Sequence, residues 1–212
     1  MYIVAIAGGS GSGKTTFAHK ILEELPRDEI VILSMDSYYL THQPLECQTS
    51  KGNLNFDHPR AFDWDLLRQH IKQLKANEVV EGPKYCFKSH KRLEERQRIE
   101  PRKILIFEGI FSLFDQKIRE LSDLKCFLSV DSDIRFTRRL HRDIQDRGRS
   151  LNSVMDQYYE TVRPMYQKYL EPQKQYADLA IGEETDKAAK VVASHLSVIL
   201  NNHLHEENSS HI

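Results

Sequence analysis

The sequence predicts an α/β fold in which a parallel sheet is flanked by helices. Two patterns predict it: short β-branched runs alternate with helical stretches, and the first run feeds directly into the glycine-dense elbow "GGSGSGKTT" at residues 8–16. The bulk numbers agree, since 212 residues of which 40% are hydrophobic and 29% charged can bury one good-sized core. In order, "YIVAIA" (2–7) leads to the helical "KTTFAHKILEEL", and "EIVILSM" (29–35) leads to a polar loop. "KILIFEGI" (103–110) then leads to "QKIRELS", and "LKCFLSV" (124–130) to a long helical stretch.

Two segments interrupt the alternation. Residues 41–55 are polar, with glycine and proline, and too long for a mere connector. Residues 79–100, "VVEGPKYCFKSHKRLEERQRIE", carry a central basic cluster and read as a hairpin laid over the sheet. Residues 1–200 read as a single domain and 201–212 as a polar, frayed tail.

Thirty basic against thirty-one acidic residues leave a net charge of −1, which excludes a global pull onto nucleic acid or an anionic membrane. Cys47, Cys86 and Cys126 are odd in number and lack C-x-x-C spacing, so they fit neither a zinc site nor a disulfide framework and point to the reducing cytoplasm. The apolar opening is too short for a signal sequence, and no later run approaches a membrane span. A soluble, unexported protein is the expectation.

Gly8, Gly13, Lys14 and Thr15 satisfy G-x-x-x-x-G-K-[ST] between a strand and a helix, the context this phosphate-binding loop demands. Its backbone N–H groups, from Gly8, Gly9, Ser10, Gly11, Ser12 and Gly13 through Lys14, Thr15 and Thr16, would cradle phosphate oxygens. Lys14 would reach the β- and γ-phosphates and Thr15 would hold Mg²⁺. No N-K-x-D guanine motif is present, which favours ATP over GTP. Glu108, ending "KILIFEGI", is either a second Mg²⁺ position or a surface glutamate. Asp36, in "DSYY" after the second strand, is a candidate base beside the γ-phosphate and Mg²⁺, or else a turn or N-cap residue. In "DSDIRFTRRLHRDIQDRGR" (131–149), Arg135, Arg138, Arg139 and Arg142 recur at helical spacing. They form either a lid that closes over the phosphates or a solvated face paired with Asp133, Asp143 and Asp146.

Taken in series, "GGSGSGKTT", "DSYY", "NFDHPRAFDWDLL", "PKYCFKSHKR", "IFEGI" and the run from "VDSDIRFTRRLHRD" to "KQYAD" resemble the uridine kinase family from Tyr2 to about Ile181. The resemblance implies a P-loop NTPase fold with a mainly parallel five-stranded sheet, a nucleoside-binding β-hairpin at 79–100 and an arginine-rich lid at about 133–150. The implied activity is ATP-dependent phosphorylation of the 5′-hydroxyl of uridine, and of cytidine, in pyrimidine salvage. By the same resemblance Asp36 is the base and touches Mg²⁺, with Tyr39 near it. Asp57 and Arg139 bind the ribose hydroxyls, flanked by Phe56 and His58. Tyr85 and His90 meet the pyrimidine, His90 being otherwise simple basic surface, and Arg149 and Gln157 lie on the substrate side. Arg135, Arg138 and Arg142 face the triphosphate, with Arg138 and Arg142 acting in transfer, and Asp186 falls near an ATP-contacting position. Homotetramers and feedback by CTP or UTP are family expectations. Two departures stand out: Cys86 where many members have aspartate, and "GEETDKAAK" in place of a proline and glycine-rich turn around the adenine. The alternatives are another small-molecule kinase, phosphoribulokinase- or pantothenate-kinase-like, and a nucleotide-binding regulator without turnover. "FDWDLLRQHIKQLK" adds a helix capped by Asp63, with Leu66, Leu67, Ile71 and Leu74 inward and Trp64 as packing.

Overall fold

The computed structural model describes residues 1–49, 51–87 and 89–209, the last without side chains beyond residue 202. Seven strands and seven α-helices alternate much as the hydrophobic runs suggest: β1 (Tyr2–Gly8), α1 (Lys14–Glu23), β2 (Ile30–Ser34), α2 (Trp64–Lys75), β3 (Val80–Cys86), β4 (Lys91–Ile99), β5 (Ile104–Glu108), α3 (Gln116–Leu121), β6 (Leu124–Leu128), α4 (Ser132–Gln145), α5 (Leu151–Gln157), α6 (Arg163–Met165), β7 (Leu179–Ile181) and α7 (Thr185–Ser209). Five strands form one parallel sheet in the order β2-β5-β1-β6-β7.

Its central strands are buried on both faces, as a sheet covered by crossover helices must be. Ile3, Ala5, Ala7, Leu105, Phe107 and Phe127 face one apolar core, completed by Leu67, Ile71 and Leu74 of α2. Val4, Ile6, Ile104, Ile106, Cys126 and Leu128 face the other, closed by Phe17 and Ile21 of α1 and by Val192 and Leu196 of α7. The period-2 alternation of side chains along each strand feeds both cores at once.

The hairpin expected at 79–100 forms as a separate two-stranded antiparallel sheet, β3 with β4. Arg92 of β4 ties it down, donating to Asp63 Oδ2 at 3.0 Å and to the Tyr38 carbonyl at 2.9 Å. Asp63 meanwhile caps α2, its Oδ1 accepting from the Leu66 N–H at 3.1 Å. Leu66 itself is only partly buried, whereas Leu67, Ile71 and Leu74 are fully so. Trp64 packs as expected, its indole N–H donating to the Pro59 carbonyl at 2.8 Å.

Two findings depart from the sequence reading. The helical run after α5 is interrupted by π turns at Tyr158–Val162 and Tyr166–Leu170, which periodicity at 3.6 residues does not reveal. α7 runs on to Ser209, into the residues the sequence reads as a polar, frayed tail; residues 210–212 of that expected tail lie outside the described residues. Among the described residues no helix is long and apolar enough to cross a membrane.

Candidate active site

The loop between β1 and α1 adopts the conformation its glycines permit. Gly11 sits at φ +80°, and a Cβ there would lie 2.2 Å from the Arg135 carbonyl oxygen, so the first turns of α4 rest directly on the loop. Gly13, at φ +91°, precedes α1 without any side-chain cap, leaving the first N–H groups of the helix free for an anion. Lys14 is buried and its ammonium donates to the Gly9 carbonyl at 3.0 Å. Burial pushes its pKa down, while Glu108 and Asp36 pull against that shift. Ser12 Oγ is buried without a partner, an orphaned donor inside the loop.

The ends of β2 and β5 bring carboxylates to that lysine. Ser34 and Glu108 are register partners, and Ser34 Oγ donates to Glu108 Oε1 at 2.8 Å. Glu108 is 5% exposed, and burial raises its pKa, with nearby Asp36 adding to the rise. Asp36 lies in a 3₁₀ turn, Met35–Tyr38, that has no side-chain cap, so the N-cap role open to it in sequence falls away. A cavity of about 500 Å³ is lined by Thr15, Ser34, Asp36, Glu108, Arg142 and Arg147 among others. Two hydroxyls and two carboxylates on one wall form an oxygen-rich donor set, which suits a hard divalent cation such as Mg²⁺.

A second cavity, of about 260 Å³, opens on the other side of Asp36 and falls just below the ~300–1,000 Å³ typical of ligand pockets. Its walls include Ser10, Asp36, Tyr39, Phe56, Asp57, Tyr85, His90, Arg139, Arg142, Arg149 and Gln157. Asp57 is buried and accepts from Thr161 Oγ1 at 3.2 Å; burial raises its pKa against the pull of Arg139. Arg139, also buried, donates to Ser10 Oγ and to Gln157 Oε1, both at 2.8 Å, bridging the phosphate loop to α5. An aromatic slot completes the pocket. His90, held at φ +55° in the hairpin turn, stacks on Phe56 with ring centroids 4.9 Å apart. Desolvation, then Arg149 and Arg147, depress the His90 pKa and keep the ring neutral at pH 7. Tyr85 Oη is buried without a partner, and burial pushes its pKa up to about 12, so it stays a hydroxyl able to bond a ligand.

Not every expected residue converges here. His58 turns away: its Nδ1 accepts from the Arg60 N–H at 3.2 Å and its Nε2 lies 3.4 Å from Tyr169 Oη, which makes it a loop clamp. Arg138 is exposed on α4 and lines neither cavity. Arg135 is buried over Gly9, its guanidinium 3.8 Å from the Tyr166 ring centroid. Asp186 pairs with Lys20 at 2.7 Å on the outer side of α1 and α7. Thr16 is exposed beyond the cavities. Among the described residues, the polar stretch at 41–55 reaches the site at its far end, where Asn55 Oδ1 accepts from the Asp57 N–H at 3.1 Å.

Sequence reasoning missed four residues. Arg147 and Phe87 line both cavities, with the guanidinium 4.5 Å from the ring centroid. The "RGR" spacing carried a signal for Arg147; Phe87, one aromatic in a mixed hairpin, carried none. Thr161 sits one turn past Gln157, a spacing that could have aligned it with Asp57. Asp143 was legible only as one of several acids between arginines, yet it is fully buried.

A family model described as the phosphoribulokinase / uridine kinase family matches residues 3–189, almost the whole described fold. The chain belongs to that family. Relatives within it include a protein from Lactobacillus helveticus named uridine kinase, 47% identical over 94% of this chain and 95% of its own length. Another of that name, from Streptococcus mutans, is 42% identical over 94% and 96%. Among solved structures, D-glycerate 3-kinase from Cryptococcus neoformans superposes with a TM-score of 0.60 at 17% identity, covering 87% of each chain, which establishes the shared P-loop kinase fold. Membership makes this family member a kinase that takes its phosphoryl group from a nucleotide donor.

Proposed function

We propose that the protein is an ATP:uridine 5′-phosphotransferase that also accepts cytidine, serving pyrimidine salvage in the cytoplasm. The observation that carries this reading is the position of Asp36, which lines both cavities at their junction together with Arg142 and Arg147. A triphosphate anchored on the loop would point its γ-phosphoryl into the larger cavity. A nucleoside in the smaller one would bring its 5′-hydroxyl to the Asp36 carboxylate.

In this mechanism Asp57 accepts from the ribose hydroxyls while Arg139 donates to them, which selects a riboside. Tyr85 and the neutral His90 bond the pyrimidine edge, and Phe56 packs against the base plane. Asp36 takes the 5′-hydroxyl proton as the oxygen attacks phosphorus in line with the leaving β-phosphate oxygen. Lys14 and Arg142 neutralise charge growing on the transferred group, in a site whose low dielectric strengthens them. Thr15 and Glu108, with Asp36, would hold Mg²⁺, which would supply further neutralisation of charge on the phosphates. ATP is the donor by preference over GTP, and the assembly is a homotetramer open to feedback by CTP or UTP. The names of the relatives support uridine as acceptor.

A coupled ADP-release assay over uridine, cytidine, adenosine, 2′-deoxyuridine, pantothenate and ribulose 5-phosphate tests the proposal. Turnover with uridine and cytidine is expected. Turnover only with a non-nucleoside would overturn it in favour of a phosphoribulokinase- or pantothenate-kinase-like enzyme, and none with any acceptor would favour a regulator.

A further inference from the structure

Among the described residues, Asp143 is the most heavily contested acid. It lies on α4, is fully buried, and touches neither cavity, yet four guanidiniums converge on it: Arg139 at 3.5 Å, Arg142 at 2.8 Å, Arg147 at 3.4 Å and Arg149 at 3.4 Å. All four of those arginines line the smaller cavity. The two carboxylate oxygens divide them. Oδ1 takes Arg142 and Arg147, the pair that also lines the larger, triphosphate-side cavity. Oδ2 takes Arg139 and Arg149, the pair that meets again at Gln157 Oε1 on the acceptor side.

A carboxylate in this position is costly to bury and is kept ionised by its partners: burial pushes its pKa up, but Arg139, Arg142 and Arg147 hold it below the ordinary carboxylate range. Without it, four like charges crowded around one pocket would repel and spread into solvent. The chain closes around the same residue, since the Arg149 N–H donates to the Asp143 backbone carbonyl at 3.0 Å through the turn at Gly148, φ +65°.

We propose that Asp143 is the positioning residue of the arginine lid, one oxygen setting the pair that serves the phosphoryl group and the other the pair that serves the riboside. This rests on the nucleoside kinase reading above. Because both pairs hang from one carboxylate, riboside selection and phosphoryl transfer are set together.

The test compares wild type, Asp143→Asn and Asp143→Glu by steady-state kinetics with uridine and 2′-deoxyuridine, alongside thermal melts. Asparagine presents one acceptor oxygen and one N–H₂ donor, so one pair loses its partner; misplaced groups of this kind cost about 10- to 100-fold. The expected result for Asp143→Asn is kcat down and uridine KM up, each by about tenfold or more, with the uridine-to-deoxyuridine preference reduced. Asp143→Glu, which keeps the charge, is expected to recover part of that preference. If Asp143→Asn does not fold, Asp143→Glu decides alone: a changed preference with altered KM supports the assignment, and wild-type KM and preference contradict it. A uniform fall in kcat, with KM and preference unchanged in every folded variant, would assign Asp143 to stability only. Failure of wild type to phosphorylate uridine would instead strike the kinase reading, so the two failures are distinguishable.

Discussion

The two halves of the proposed site, one for the donor and one for the acceptor, are built on opposite plans. The donor half is nearly contiguous: residues 8–16 deliver backbone N–H groups, Lys14 and Thr15 from one strand–turn–helix, and its geometry follows from where glycine permits a positive φ. The acceptor half is assembled from side chains on distant segments: Asp36 after β2, Asp57 in a loop, Tyr85 and His90 on the hairpin, Arg139 on α4 and Gln157 on α5. A backbone cradle tolerates many chemistries and names none, whereas a side-chain pocket is easily altered and carries the specificity.

Variants that break one half and spare the other sharpen this contrast. Among variants confined to one half, the largest effect is expected at Lys14→Ala, which removes the buried ammonium from the loop: kcat should fall by about 10²–10³, as for loss of one preorganised charge donor, with uridine binding by calorimetry retained. Loss of uridine binding in that variant would mean the halves are not separable. Asp57→Ala should raise KM for ribosides and shrink their advantage over deoxyribosides by roughly 10- to 100-fold, the worth of hydrogen bonds to a charged group, while the KM for ATP holds. Unchanged discrimination would place ribose recognition elsewhere.

A smaller effect belongs to His90. Its pKa lies below the usual 6.5, so the neutral ring persists as the pH is lowered through that value and protonates only under more acid conditions. Uridine KM should therefore be flat from pH 8 to the ordinary histidine range and rise, by less than about tenfold, only below it; a rise beginning above pH 7 would contradict the lowering of that pKa by burial and by Arg149 and Arg147. Smallest is Asp63→Ala, which removes the α2 cap and the Arg92 ion pair at 3.0 Å. It should cost about 1 kcal/mol, or roughly 2–4 °C in Tm, and leave kcat within about twofold.

How much of this was legible in the sequence follows the same division. Strands β1, β2, β5 and β6, the phosphate loop, the hairpin and the Asp63 cap were readable because each is fixed by local pattern; the edge strand β7, only three residues long, was not. The acceptor pocket came from resemblance to a family rather than from spacing, since nothing local ties Asp57 to Arg139 across eighty residues. Where the resemblance was applied too evenly it overreached: Arg138 shares the helical spacing of its neighbours but falls on the exposed side of α4, and His58 sits beside Asp57 in sequence yet faces Tyr169. Asp143 was hidden for a different reason. Burial of a carboxylate among four arginines depends on the turn at Gly148 folding Arg147 and Arg149 back onto α4, a tertiary event that composition cannot report.

The account stands on Asp36 as the group that joins the two halves, and the most direct test is Asp36→Asn with single-turnover kinetics and nucleoside binding measured together. Carboxylate and carboxamide are near-isosteric and only one is a useful base, so phosphoryl transfer should fall by about 10²–10⁴ while uridine affinity stays within a few-fold of wild type. Transfer at a near-normal rate would contradict the assignment of Asp36 as base and, with it, the junction on which the proposed reaction depends.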